Sequence, residues 1–315
     1  MRVLYLVDSE RYVRENCFQS QLLNGFMYCG DLDILQAQPE LRFRLSALRR
    51  SPAEYDAVVC VLRQRTAFAM MRQLADFLGA AKVAVYDQDP WESFIDGSPT
   101  KGFYRLLNDS LNAEVFVTSR WWADRISKSG IDAHFVRMGM EPRWCDAGPA
   151  IEMRPVELGF KGHLHPHREA VFVALANEGM KVDIAKDRLN YAGYMSYLHN
   201  VQVFTHDESA PWICDGEEIS RSTGMWIKDI ETAARGTFTL RNWHPEAVSY
   251  GLNDIPNILF YADPREAPDK MAEFRRMSIE QRNAMRCISV ERIRRRYDWP
   301  EAAQTILRRV VETNE

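Results

Sequence analysis

Short apolar runs alternate with longer amphipathic stretches along most of the chain. Residues 2–7, 55–62, 82–86 and 115–119 are continuous β-branched and aliphatic runs, the pattern of strands buried on both faces of a parallel sheet. Between them, 17–27, 66–78 and 121–129 carry helical spacing, and Gly79 stands where the second of these helices should stop. Residues 134–140 read as a further strand and loop. Pro142, Gly148, Pro149 and Pro155 then make the best linker. Beyond them the alternation resumes. Strands are expected at 156–162, 181–184, 201–205, 237–240 and 257–261, and helices at 168–175, 194–198, 229–235, 264–274, 278–296 and 301–311. Strand–helix alternation implies parallel sheets with right-handed crossovers, whose ligands bind beyond the carboxyl ends of the strands.

Composition adds bounds to this picture. The 315 residues, 46% hydrophobic and 27% charged, suffice for two ordinary soluble domains. A net charge of -4 argues against a surface tuned throughout to nucleic acid. The opening apolar run is too short for a signal peptide and reaches Asp8 at once, and no run is long enough to span a bilayer, so a cytoplasmic protein without an integral membrane segment is expected. Six scattered cysteines with no Cys-x-x-Cys pair fit free thiols in a reducing compartment. The first strand lacks a following Gly-x-Gly-x-x-Gly, which counts against a dinucleotide-binding dehydrogenase.

The stretch 228–242 holds the most telling chemistry. Ile230, Ala233 and Ala234 define one buried helix face, and Gly236 is placed for the left-handed stop. Lys228 and Glu231 then lie one turn apart at the helix's N-terminal end. A carboxylate there can accept hydrogen bonds from a diol, while an ammonium with helix amides suits a phosphate. An ordinary αβ unit with a solvated Lys/Glu pair fits the same residues. Upstream, Lys161 and Gly162 lead through His163, His165 and His167 into a helix bearing Arg168. A glycine loop entering a helix is an anion site by dipole and geometry, and Arg168 and Lys161 add charge. Pro166 breaks the alternation of the three histidines, so no metal is assigned to them. Asp87, Asp89 and Trp91 follow the third strand, where carboxylates could hold hydroxyls and an indole could stack on a sugar; capping aspartates in a helix-entry loop are the plainer reading. Asp207, Glu208, Asp215, Glu217 and Glu218 read as an exposed acidic loop. Ser222, Thr223 and Gly224 could cap the next helix or touch phosphate. Arg292, Arg294, Arg295 and Arg296 form a basic helix face.

In their order, these segments resemble GT-B glycosyltransferases, specifically the family 4-like enzymes and the CgeB (YkvP)-type branch. Lys228, Glu231 and Gly236 match that family's Arg-x-x-Glu-x-x-x-x-Gly pattern, and Asp87-Gln88-Asp89-Pro90-Trp91 is similar to its Asp-Asp-Pro-Trp stretch with Gln88 inserted. Thr223 stands where many family 4 enzymes have another glutamate. The resemblance implies an α/β chain of two facing Rossmann-like, doubly wound domains with an interdomain cleft. Residues 1–150 would form the acceptor side and 151–296 the nucleotide-sugar domain, with a helix in 297–315 crossing back to the first domain. It implies transfer of a sugar from a nucleotide-diphosphate donor, a UDP-sugar by frequency, to an acceptor hydroxyl, with retention of configuration and without metal or other cofactor. Donor contacts would come from Gly162, Lys161, Arg168, Thr223, Lys228 and Glu231. Arg168 and Lys228 would stabilise the leaving diphosphate, Asp87 or Asp89 would orient or deprotonate the acceptor, and Trp91 would bind it. The acceptor stays open: a glycan, a small molecule or modified DNA. A catalytically silent nucleotide-sugar-binding protein of this fold and a GT-B-shaped nucleotide-sugar epimerase are the alternatives.

Overall fold

A computed structural model describes residues 1–8, 18–36, 50–162, 164, 166–185, 189–208, 211–224 and 226–312. The chain divides into two compact units. The first comprises Met1–Gly139, Trp212–Ile219 and Trp299–Glu315, and the second Met140–Pro211 and Ser220–Asp298.

In the first unit, β1 (Arg2–Val7), β2 (Asp31–Gln36), β3 (Ala57–Val61), β4 (Val83–Asp87), β5 (Ala113–Val117) and β6 (Ala133–Phe135) form a parallel sheet in the order β2-β1-β3-β4-β5-β6. The helices are α1 (Phe18–Met27), α2 (Gln64–Ala69), α3 (Met71–Leu78), α4 (Phe103–Ser110) and α5 (Arg120–Ser127). β1, β3 and β4 are buried almost along their whole lengths, as their unbroken apolar runs require. The helix expected over 66–78 is instead two, interrupted at Met70, whose ψ of 20° leaves the helical range. Gly79 stops the second with φ of 52°. Cys17, expected in the first helix, lies outside the described residues.

The sequence expectation lacks the helix Glu246–Tyr250 of the second unit and, more informatively, three other features. β2 carries Asp31 and Asp33, which read as turn residues, yet it is the sheet's edge strand and Asp33 accepts a 2.6 Å hydrogen bond from the Tyr55 hydroxyl. α4 spans only eight residues but buries Phe103, Tyr104 and Leu107. The supposed acidic loop contains a hairpin, β10 (Pro211–Cys214) and β11 (Glu217–Ser220), turned by Asp215 and Gly216, which both have positive φ. Residues 212–219 of that hairpin belong to the first unit, where Trp212 stacks on Trp91 at 4.5 Å between ring centres.

The second unit is a parallel sheet of β7 (Val156–Phe160), β8 (Asp183–Ile184), β9 (Val201–His206), β12 (Phe238–Asn242) and β13 (Ile258–Tyr261), ordered β13-β12-β9-β7-β8. Around it lie α6 (Pro166–Asn177), α7 (Tyr191–Leu198), α8 (Ile227–Ala234), α9 (Glu246–Tyr250), α10 (Ala267–Arg276) and α11 (Ile279–Arg296). Leu158, Val203, Phe238 and Leu240 from the strands meet Val171, Leu175 and Phe274 from the helices in one core. In strand sequence order the first sheet runs 2-1-3-4-5-6 and the second 2-1-3-4-5, so each reverses direction between its first and third strands, the place where open α/β sheets bind ligands. The last helix, α12 (Trp299–Glu312), is part of the first unit and lies on α1. Gly25 permits this approach: a Cβ there would come within 2.7 Å of the Trp299 carbonyl oxygen.

Gly236 ends α8 as its sequence position demands, with φ of 59°. A Cβ at this site would lie 3.0 Å from the Ala147 Cα, on backbone that cannot easily yield. Gly236→Ala therefore combines a left-handed alanine, about 1–2 kcal/mol, with a backbone clash. Its urea midpoint should fall by more than that of Gly179→Ala, where φ is 70° but nothing lies within 4 Å.

Candidate functional site

Among the described residues, most of the buried charge gathers at the carboxyl edge of the second sheet. β9 ends in His206, and Asp207 and Glu208 follow; they are 4%, 2% and 0% exposed, so these two acids of the expected solvated loop are interior groups, while Asp215, Glu217 and Glu218 are exposed. β12 ends in Arg241 and Asn242, also buried. α8 starts beside them, presenting Lys228, Asp229 and Glu231.

Glu231 and Lys228 are together, as their spacing predicts: Nζ stands 3.6 Å from Oε2. The ammonium also sits over the Tyr194 ring, 3.9 Å from its centre, and keeps a third of its side chain in solvent. Glu231 is nearly fully buried, and burial pushes its carboxyl up from the ordinary range; Lys228 and the nearby Tyr191 and Tyr194 hydroxyls pull the other way. Neither Oε2 nor the Tyr194 hydroxyl has a hydrogen bond of ordinary geometry. The carboxylate thus retains accepting capacity in a water-poor setting, where a directed hydrogen bond from a ligand counts most.

Arg168 belongs to an adjoining network. Its guanidinium lies over the Phe160 ring at 5.5 Å, donates from Nε to the Asp207 carbonyl, and pairs closely with the Glu208 carboxylate. Glu208 also meets His206 Nε2 at 3.1 Å. On its other side His206 Nδ1 is 3.8 Å from Asp229, and Asp229 is 3.5 Å from Arg241 Nε. Asn242 fixes the turn by accepting from the Glu208 amide at 2.9 Å and donating to Ser222 at 2.7 Å. The carboxylates of Glu208 and Asp229 thus face the guanidiniums of Arg168 and Arg241, with the His206 ring between the two pairs. This relay reaches from the Gly162 loop to the residue after Lys228. His206, Asp229 and Arg241 are absent from the sequence expectation. The position of His206 and Arg241 at strand carboxyl ends was the available signal.

The other expected donor residues have local partners. Lys161 Nζ donates to the Ala185 carbonyl at 2.9 Å. Gly162, with φ of 154°, lies where a Cβ would be 3.5 Å from an Arg168 nitrogen, so the loop and that guanidinium are neighbours. Thr223 caps a turn, its hydroxyl donating to the Ser220 carbonyl at 2.7 Å. His163 and His165 lie outside the described residues, as does the side chain of His167. The basic face of α11 is a set of local pairs: Arg294 and Arg295 with Glu291, and Arg292 and Arg296 with Asp254.

In the first unit, Asp87 and Asp89 line a recess of about 370 Å³ at the carboxyl ends of β3 and β4, with Arg63, Gln64 and Glu92. Asp87 is buried and accepts from Gln64 Nε2 at 2.7 Å, the Tyr104 hydroxyl at 2.7 Å and the Asp89 amide at 2.9 Å. Burial raises its pKa against the pull of those bonds. Asp89 is pushed up to about 7, first by its crowded surroundings and then by the charges of Asp87 and Glu92. Its side chain reaches solvent, which screens part of this effect. A carboxyl whose folded pKa is raised favours the fold below its unfolded value and loses that contribution as pH rises through the folded one. Asp89→Asn should therefore raise the melting temperature at pH 8 relative to pH 4, a difference that thermal scans at both pH values would read.

Trp91 does not offer the open ring expected of a sugar platform. It is only 8% exposed, and one face is covered by Trp212. Trp91 is therefore an anchor for the hairpin rather than a free stacking surface.

No protein-family model and no curated protein matches the chain. Solved structures match it in fold along its whole length. HepE of Anabaena, in complex with UDP-glucose, gives a TM-score of 0.63 at 12% identity, covering 100% of this chain and 99% of that one. A glycosyltransferase from Rickettsia africae gives 0.65 at 11%, with 100% and 98% covered. Sucrose-phosphate synthase of Thermosynechococcus elongatus gives 0.63 at 11%, with both chains fully covered. At these identities the likeness is one of fold. The two parallel-sheet α/β domains are those of GT-B glycosyltransferases.

Proposed function

We propose that this chain is a glycosyltransferase that moves a sugar from a nucleoside-diphosphate donor, a UDP-sugar in the first instance, to an acceptor hydroxyl. The observation that carries the reading is the buried Glu231 carboxylate with Lys228 Nζ 3.6 Å away, on a helix that starts at the carboxyl edge of the second sheet in a chain of GT-B fold. UDP-glucose bound to HepE makes a UDP-sugar the first donor to try. Glu231 would accept from the ribose hydroxyls. Lys228, Arg168 and the amides of the Gly162 loop would hold the diphosphate, and charge developing on it as the sugar leaves would be met by donors already in place. A phosphate arriving at Arg168 competes with Glu208 for the same guanidinium.

With the leaving group stabilised by cations and amides, the transfer needs no metal and no strong protein nucleophile, in keeping with a retaining enzyme of the family 4-like kind. Asp87 or Asp89 would orient the acceptor hydroxyl or take its proton; the Asp89 carboxyl, pushed up to about 7, suits a base working near neutral pH. The test is release of nucleoside diphosphate from a panel of nucleotide sugars, with and without glycan and small-molecule acceptors. Slow hydrolysis of one donor, accelerated by an acceptor, supports transfer. A donor that binds tightly and is never consumed, or is converted to an epimer without acceptor, overturns it.

A further inference from the structure

A second cluster, independent of the transferase reading, lies at the amino ends of β5 and β6, the opposite edge of the first sheet from Asp87. β5 and β6 run parallel with Val115 opposite Ala133, so the preceding residues, Glu114 and Asp132, face each other across the pair. Like charges directly opposite destabilise a sheet unless a cation joins them. His134 reaches the same point. Its Nε2 is 3.2 Å from Glu114 Oε2 and 3.2 Å from Asp132 Oδ1.

A neutral imidazole has one proton for these two acceptors, and neither contact makes a hydrogen bond. His134 Nε2 and both Glu114 carboxylate oxygens are shut off from water and have no hydrogen-bond partner. Three donor atoms, one nitrogen and two oxygens, lie within 4.8 Å of one another. The 3.2 Å separations match the edges of a tetrahedron with metal–ligand bonds of about 2.0–2.1 Å, which are about 3.3 Å long.

We infer that Glu114, Asp132 and His134 bind a divalent transition ion of the zinc class, with water as a further ligand. One imidazole with two carboxylates suits such ions better than magnesium or calcium, which favour all-oxygen shells. The local cation is Arg309 of α12, at 3.4 Å from Glu114 Oε2 and 3.5 Å from Asp132 Oδ2. Its side chain is half exposed, so it can turn to solvent and cede the carboxylates to an ion, and Asp132, 53% exposed, leaves an entry path. Arg309 is thus the competitor for the metal, and the site is set on the sheet edge away from the recess lined by Asp87.

Titration calorimetry of the full, tag-free chain with zinc chloride, paired with thermal scans, tests this. One zinc per chain is expected, with a raised melting temperature. Magnesium should give neither. His134→Ala and Asp132→Asn should each weaken zinc binding at least tenfold; Asp132 is largely exposed, so its variant keeps the fold. Arg309→Ala should bind zinc more tightly than the parent. Absence of zinc binding, binding that survives both ligand substitutions, or weaker binding by Arg309→Ala overturns the proposal.

Discussion

Glu231→Ala should reduce affinity for a nucleoside diphosphate and its sugar by about a hundredfold or more, without unfolding the chain. A buried carboxylate that accepts two ribose hydroxyls makes two charge-assisted hydrogen bonds, each about 1.5–3 kcal/mol. Loss of one such bond alone is roughly tenfold, and loss of both is a hundredfold or more. Stability should move little, because burial already disfavours the charged carboxyl and Lys228 only partly offsets this. A folded-state pKa raised by burial means ionisation costs stability as pH rises through it, so Glu231→Gln should hold or raise the melting temperature at pH 8. Glutamine keeps one acceptor and no charge, and its affinity should fall between alanine and the parent. Calorimetry with UDP and with the preferred donor would read both variants. An alanine variant that binds like the parent removes Glu231 from the donor site.

Arg154→Ala should be the most damaging single change to the second domain, at about 3–5 kcal/mol. Its side chain is 1% exposed, and its guanidinium donates to the carbonyls of Ala147, Pro149, Leu198, Val201 and Arg235 and to the Thr237 hydroxyl. These groups come from the linker, the α7–β9 turn and the α8–β12 turn, so one planar fork ties three chain segments together. Truncation strands buried carbonyls, each costing about 1–3 kcal/mol if left dry. Arg286, which also donates to Ala147 and Pro149, recovers part of the loss. Lysine should not rescue, because a point charge cannot reproduce the fork. Urea denaturation, followed through the transition of the second domain, is the measurement. A loss below about 1 kcal/mol would show that water or Arg286 satisfies the site alone.

How far the sequence could be read depends on which forces mark a residue. Strands such as β1, β3 and β4 are buried on both faces, so their apolar runs are unbroken and legible. β2 is an edge strand, and its aspartates hide it. The hairpin of 211–220 was illegible because acidic residues suggested solvent, whereas Trp212 and Cys214 bury one face and Arg125 pairs Asp215 and Glu217 on the other. The Lys228–Glu231 pair was legible because helical spacing alone brings the two side chains together. Arg168, Glu208, His206 and Asp229 lie on different elements, and only the sheet order joins them. Trp91 shows the converse error. An aromatic ring beside two acids suggested a sugar platform, and a partner 121 positions along the sequence, Trp212, covers it instead.

A sugar-linked diphosphate is expected to sit at the start of α8, on Glu231 and Lys228. The most direct test is a crystal structure of the chain with UDP bound. Ribose hydroxyls should lie within hydrogen-bond distance of the Glu231 carboxylate, and phosphate oxygens on Lys228 and Arg168, with Glu208 displaced from the guanidinium. A nucleotide lodged elsewhere, with Glu231 untouched and the Arg168–Glu208 pair intact, would contradict it.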